Sequence, residues 1–303
     1  MPLPAEFLEY PRRAYGMDQD RYDWQPADRR APLHLKSGAK AMAFITIPLE
    51  FFPLDPPAKP FKHPGAMVTP YPDLRHYTTR DYGNRVGVYR LLRELGAAGV
   101  KATFAVNASV AERYAPLIET IRTAGHEIAA HGISTAHIHH AGLSEDEERA
   151  LVTQTRAVLP EAITWLSPAR NQSFRTPDLV REAGFTICLD WESDQRPLDM
   201  RTAHGPLTCL PNHYELSDFL MLSTRSQSEE EWADQILEAA AQTVAEHGAR
   251  GAQCFGFTLT PYITGLPFRI EAVARALTGL AAMEGLEVAT ASEVSAAFAE
   301  TSS

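Results

Sequence analysis

The 303-residue sequence predicts one α/β domain on parallel strands, a barrel in preference to a doubly wound sheet. Three observations predict it. Short apolar runs alternate with segments of helical spacing about seven times over. No internal repeat and no obvious linker divides them. Residues able to do chemistry recur just past the ends of the apolar runs, where α/β domains build their sites.

Taken in order, residues 1–40 are polar and rich in proline and arginine, and are expected as an arm packed on a single domain of residues 41–303. Ala41 to Ile47 reads as the first buried strand. Residues 53–72 hold seven prolines and read as an irregular loop, long enough to suspect a function. Val88, Leu91, Leu92 and Leu95 have helical spacing, and Gly96 can stop that helix. Ala102 to Val106 is a strand. Ser109 with Glu112 has capping-box spacing, ahead of Val110, Tyr114, Leu117, Ile118 and Ile121 on one helix face. Glu127 to Ala130 is a strand that opens at His131-Gly132. Ser144 with Glu147 begins another helix. Ala162 to Leu166 and Phe185 to Leu189 are strands separated by a helix from Thr176 to Gly184. Residues 190–227 show no clear period. Ser228 caps a helix to about His247. A strand at Ala252–Leu259, a helix at Ile270–Met283, a strand at Leu286–Ala289 and a last helix from Ser292 complete the pattern.

Bulk properties exclude several function classes. A net charge of −10 argues against nucleic acid and anionic membrane as partners. No run approaches the ~20 apolar residues of a membrane span. The first residues lack an apolar core of signal-peptide length. Cys188, Cys209 and Cys254 are scattered, with no CxxC, so a zinc knuckle is not expected. Cys188 and Cys254 read as buried thiols. A cytoplasmic protein acting on a small molecule is the expectation.

The densest chemistry lies between His126 and His140, where five of fifteen residues are histidine. Imidazole changes charge near neutral pH and is the commonest metal ligand. Glu50 follows the first strand, His131 the third, Arg170 the fourth and Asp190 the fifth; Thr260 and Tyr262 follow a late one. Parallel strands bring such positions to one rim. A carboxylate or imidazole there can activate water, and a guanidinium can stabilise a developing oxyanion. Glu50 alone also reads as a surface acid, Arg170 as a structural cation, and the His137, His139, His140 triplet as a polar loop face.

Four stretches carry a resemblance: Tyr10-Pro11-Arg12 with Tyr15-Gly16; Asp81 to Gly87; Gly125 to Gly132; and Trp165 to Asp190. Their wording and order resemble the polysaccharide deacetylase family, carbohydrate esterase family 4. Its allantoinase-type and peptidoglycan-deacetylase-like branch is the nearest. The resemblance implies a distorted (β/α)7 barrel and hydrolysis of a non-peptide C–N bond. It also implies a homo-oligomer, a tetramer in some relatives. The departures fall on the family's chemistry. An Asp-x-Asp-like pair after the first strand, base then metal ligand, reads as Pro48 and Glu50. The second of two histidines four apart reads as Thr135. The late Leu-His motif reads as Leu259-Thr260.

Two arrangements stay open. His137 or His139 joins Glu50 and His131 around one divalent, zinc-like ion. Alternatively the site is metal-free and His131 works with Glu50, Arg170 and Asp190. Tyr82, Arg85, Trp191, Thr260 and Tyr262 are the candidate substrate-binding residues. The expected activity is hydrolysis of a small amide, cyclic imide, ureide or N-acetyl compound; the alternative is a degenerate deacetylase fold that binds a small ligand.

Overall fold

The computed structural model describes residues 18–66 and 72–301, whose strands form one nine-stranded sheet. β1 (Ala41–Leu49), β2 (Thr103–Val106), β3 (Glu127–Ala130), β4 (Thr164–Trp165) and β5 (Ile187–Cys188) lie side by side in chain order, all parallel. β6 (Leu198–Met200) and β7 (Leu207–Cys209) form an antiparallel hairpin, and β7 joins β5 in parallel. β8 (Gln253–Thr258) and β9 (Leu286–Ala289) both pair with β1. A parallel bridge between Asn212 and Gly256 then links the chain just past β7 to β8. Seven parallel strands, β1 to β5 with β7 and β8, thus curl into a ring. This is the distorted (β/α) barrel the sequence predicts. The distortion has a visible cause: β4 and β5 are two residues long, and a single bridge completes the circuit. The β6–β7 hairpin lies in the stretch without period, because three-residue strands are too short to show one.

Successive residues of a strand face opposite sides of a sheet. Met42 and Phe44 join Ala105, Ala129, Leu166, Ile187 and Leu189 in one buried cluster. Ala43, Ile45, Ile47 and Leu49 join helix residues such as Leu91, Ile121, Val152 and Trp232 in the other. The first cluster fills the barrel; the second seals the sheet against its helices. A Cβ on Gly256 would come within 2.3 Å of the Phe44 ring, a measure of how full the interior is. Pro48 and Glu50 continue the parity of Met42 and Phe44, so they face the mouth of the barrel at its carboxyl end.

The helices follow the predicted order. α1 (Leu74–Tyr82), which the sequence reading missed, leads through a π turn at Gly83–Gly87 into α2 (Val88–Ala98). The helix expected from Ser109 is two, α3 (Ala108–Arg113) and α4 (Ala115–Thr123). Pro116 sits in the first turn of α4, and a proline cannot donate to the preceding turn. Asn107, not Ser109, holds the N-terminal position of α3. α5 (Glu145–Val158), α6 (Thr176–Glu182), α7 (Glu229–Ala245), α8 (His247–Arg250), α9 (Ile270–Ala281) and α10 (Ala291–Ala299) complete the shell. The Ser144–Glu147 capping box forms as read, and others stand at Ser228–Glu231 and Thr290–Glu293.

In the arm, Arg21 is buried and reaches both oxygens of Asp178, at 2.9 and 2.7 Å. Arg30 pairs with Asp194 at 2.6 Å. Tyr10 to Gly16 lies outside the described residues. All three cysteines are free and buried. Among the described residues no helix is long and apolar enough to cross a membrane.

Candidate active site

A pocket enclosing about 570 Å³ of empty space, partly open to solvent, sits on the barrel mouth. Its floor is made of side chains that share the interior parity: Pro48 and Glu50 past β1, His131 past β3, Leu166 past β4, Thr258 and Thr260 at the end of β8. Its walls are His63, Pro64 and Gly65 from the proline-rich loop, Ala169 and Arg170, Tyr214, and Tyr262. Glu50, His131 and Arg170, expected together from sequence, do meet here.

Glu50 is buried and faces two imidazoles. His63 Nε2 lies 3.0 Å from Glu50 Oε1, and His131 Nε2 lies 3.5 Å from the same oxygen. Burial alone pushes the Glu50 pKa up. The two neighbouring imidazoles, His63 foremost, together outweigh burial and hold the carboxyl well below its usual range. The group is therefore ionised.

The other nitrogen of each ring fixes its tautomer. His131 Nδ1 lies 2.8 Å from the Leu166 carbonyl oxygen, which can only accept, so Nδ1 carries a proton. The neutral ring then holds a lone pair at Nε2, facing the pocket. His63 is the reverse. The Gly65 N–H donates to its Nδ1 at 3.2 Å, so its proton is on Nε2 and points at Glu50. His63 is thus a donor that steadies the carboxylate, and His131 is placed to accept a proton beside it.

His131 is aimed by its turn. Gly132 has φ +62°, and a Cβ there would meet the Pro168 ring at 2.6 Å. Ala169 and Arg170 follow with φ +56° and +52°, two left-handed non-glycine residues in succession. Such backbone costs about 1–3 kcal/mol per residue and collects at functional sites. Arg170 is fixed by donating from Nη1 to the Asn212 carbonyl at 2.5 Å and from Nη2 to Thr258 Oγ1 at 3.3 Å. Glu192 Oε2 lies 3.6 Å from Nη1.

Several expectations need correction. Asp190 does not join this pocket. Ile187 and Leu189 face the interior, so Asp190 has the opposite parity. It accepts from the Ser167 N–H at 2.9 Å, the Ser167 hydroxyl at 2.8 Å and Gln172 Nε2 at 2.7 Å, and lines an adjacent cleft with Trp191. Trp191 is anchored there, its indole N–H donating to Gln172 Oε1 at 2.8 Å. Tyr82 and Arg85 are also outside the pocket: Tyr82 accepts from Arg90, and Arg85 is a largely exposed partner of Asp81. Between them, Asn84 donates to the Glu50 carbonyl at 2.9 Å. A Cβ on Gly87 would lie 2.1 Å from the Pro261 carbonyl oxygen, so the Asp81–Gly87 stretch works by close packing under Tyr262. His137 and His139 do not reach Glu50 and His131. His137 Nδ1 is 2.8 Å from the Ser134 hydroxyl, while His139 is fully buried with its Nδ1 3.1 Å from Glu148.

Three residues of the site escaped sequence reading. His63 arrives on the long loop, whose length was the available signal. Asn107 is buried between strand ends; its Oδ1 accepts from the Phe51 N–H at 2.9 Å and its amide donates to the His131 carbonyl. Asp218 is buried behind Thr260, taking its N–H at 2.6 Å and its hydroxyl at 2.8 Å. Burial pushes the Asp218 pKa up to about 7.

Residues 71–185 match the family model for polysaccharide deacetylase. The match runs from just before α1 to just before β5. The matched segment includes His131 and Arg170 but not Glu50 or Thr260. No curated protein matches the sequence. Among solved structures, an allantoinase superposes with a TM-score of 0.78 at 19% identity, over 92% of this chain and 99% of its own. A protein assigned as a polysaccharide deacetylase from Pseudomonas aeruginosa gives 0.77 at 21% identity, over 96% and 98%. Another so assigned, from Mycobacterium smegmatis, gives 0.74 at 22%, over 92% and 96%. At these identities the likeness establishes the fold.

Among the described residues, no group of three or more His, Cys, Asp or Glu side chains could hold a metal ion. Thr135 donates its hydroxyl to the Phe51 carbonyl at 2.9 Å.

Proposed function

We propose that this protein hydrolyses a non-peptide C–N bond in a small amide, a cyclic imide or ureide, or an N-acetyl compound. The observation that carries the reading is the pairing of the His131 Nε2 lone pair with the ionised, buried Glu50 carboxylate at the pocket mouth. At 3.5 Å the two do not saturate each other by hydrogen bonding, which leaves His131 able to bind a water. The water oxygen attacks the substrate carbonyl carbon while its proton passes to Nε2. Glu50 balances the imidazolium charge, and Leu166 keeps the ring oriented. The imidazolium then gives its proton to the leaving nitrogen as the C–N bond breaks. Arg170 holds a carbonyl or anionic group of the substrate.

The test is hydrolysis of a panel of ureides, cyclic imides, hydantoins and N-acetyl amino sugars by wild type and His131→Ala. Turnover by wild type that survives in the variant contradicts the reading.

A second reading, a ligand-binding member of the fold, is favoured by one observation. Thr260, where the family has its late histidine, has its N–H and hydroxyl committed to Asp218. A null panel combined with a thermal shift from one of its compounds selects that reading.

A further inference from the structure

We propose that the Tyr262 hydroxyl is a further catalytic group, the donor that receives the oxyanion when a carbonyl is attacked beside His131; this rests on the hydrolytic reading. Tyr262 is 8% exposed and lines the pocket with Glu50 and His131. Two neighbours hold its ring and a third its backbone. The Arg80 guanidinium carbon lies 4.6 Å from the ring centroid. Phe52 meets the ring edge-on at 5.9 Å. A Cβ on Gly83 would come within 2.9 Å of the Tyr262 backbone nitrogen, so the end of α1 presses against it. A Cβ on Gly65 would stand 2.6 Å from the hydroxyl, so the glycine there leaves the oxygen its room.

For all this restraint, the hydroxyl makes no hydrogen bond among the described residues. Its oxygen is not sealed off from solvent, so it opens on the pocket. A rigid phenol without a partner, in the wall of a pocket, is preorganised for a ligand oxygen. Burial first, and the nearby Glu50 charge second, push its pKa well above the usual value, so it remains a donor through the neutral range.

The chemistry balances without a further reagent. The water oxygen bonds to the carbonyl carbon, and the C=O π pair moves onto oxygen. That oxygen accepts a hydrogen bond from Tyr262, whose proton stays on the phenol. His131 carries the water proton to the leaving nitrogen.

The test uses Tyr262→Phe, with Tyr89→Phe, a half-exposed residue of α2, as control. On any panel compound that wild type cleaves, kcat falls about 10²-fold or more in Tyr262→Phe while KM stays within about threefold. The thermal midpoint stays put, since the hydroxyl has no partner to lose. Acetate provides a readout independent of turnover, its carboxylate standing in for the oxyanion. Titration followed by NMR gives an acetate affinity about tenfold weaker in Tyr262→Phe than in wild type or Tyr89→Phe. Equal affinities, absence of acetate binding to wild type, or a kcat within about twofold of wild type overturns the assignment. A panel that nothing cleaves defeats the hydrolytic reading instead, and the acetate titration alone then decides whether Tyr262 is the donor.

Discussion

One loop supplies the histidines of two glutamate–histidine pairs, and the pairs behave differently. His139 and Glu148 lie 3.1 Å apart, both fully buried. Glu148 also accepts from the Ser173 and Thr176 hydroxyls, and the Asn171 amide donates to the His139 carbonyl. His131 and Glu50 are farther apart, at 3.5 Å, and open into a pocket. By closeness of contact the first pair is the better one, and by function it is the poorer candidate. Every Glu148 oxygen is engaged, so the pair braces α5 and α6 against the segment after Arg170. The second pair keeps a lone pair unspent. His139 Nε2 also lacks a partner among the described residues, but it is fully buried, so what marks the site is a free nitrogen that opens into a pocket.

The largest effects should separate the two pairs. His131→Ala is expected to cut turnover by about 10²–10⁴-fold with the fold intact. His139→Ala should instead remove one buried partner of Glu148, leaving Arg175 at 3.5 Å and the Ser173 and Thr176 hydroxyls, and cost about 1–3 kcal/mol of stability with turnover per folded molecule retained. Denaturant titration beside kinetics reads both, and loss of turnover in well-folded His139→Ala breaks the comparison. Next in size is Glu50→Gln, which keeps shape but removes the charge that balances an imidazolium. Its kcat should drop about 10²-fold, with the acid-side limb of the pH–rate profile displaced from that of wild type; an unchanged profile means Glu50 does not face the base. Arg170→Lys loses the planar fork and should cost about tenfold in activity or affinity, ~1.4 kcal/mol; wild-type kinetics there make Arg170 a structural residue.

A smaller effect concerns acid stability. Burial raises the Glu148 pKa, but hydrogen bonds from His139, Thr176 and Ser173 more than offset it and hold the group below its reference value of 4.5. A carboxylate lowered in the folded state stabilises the fold above its unfolded pKa and loses that contribution as pH falls through the folded one. Glu148→Gln should therefore show a shallower loss of stability below pH ~4.5 than wild type, measured by denaturant melts across that range. Smallest of all, added zinc should leave the thermal midpoint and kcat unchanged, because the donors near Glu50 satisfy one another; a stoichiometric zinc signal with a raised midpoint reverses that conclusion.

Much of this was legible in the sequence because it depends on local pattern. Apolar runs a few residues long, separated by helical spacing and capping residues, order the strands and force the parallel barrel. Parallel order in turn brings Glu50, His131 and Arg170 to one rim. The parity that turns Asp190 away was also written in the chain, since Ile187 and Leu189 are the apolar partners on the other phase. Tertiary structure decided the rest. The proline-rich loop has no period to say where it lands, and only the fold carries His63 onto Glu50. A backbone carbonyl from one segment and a backbone N–H from another set the two imidazole tautomers. Such contacts leave no trace in residue identity, because every residue has a carbonyl and nearly every one an N–H.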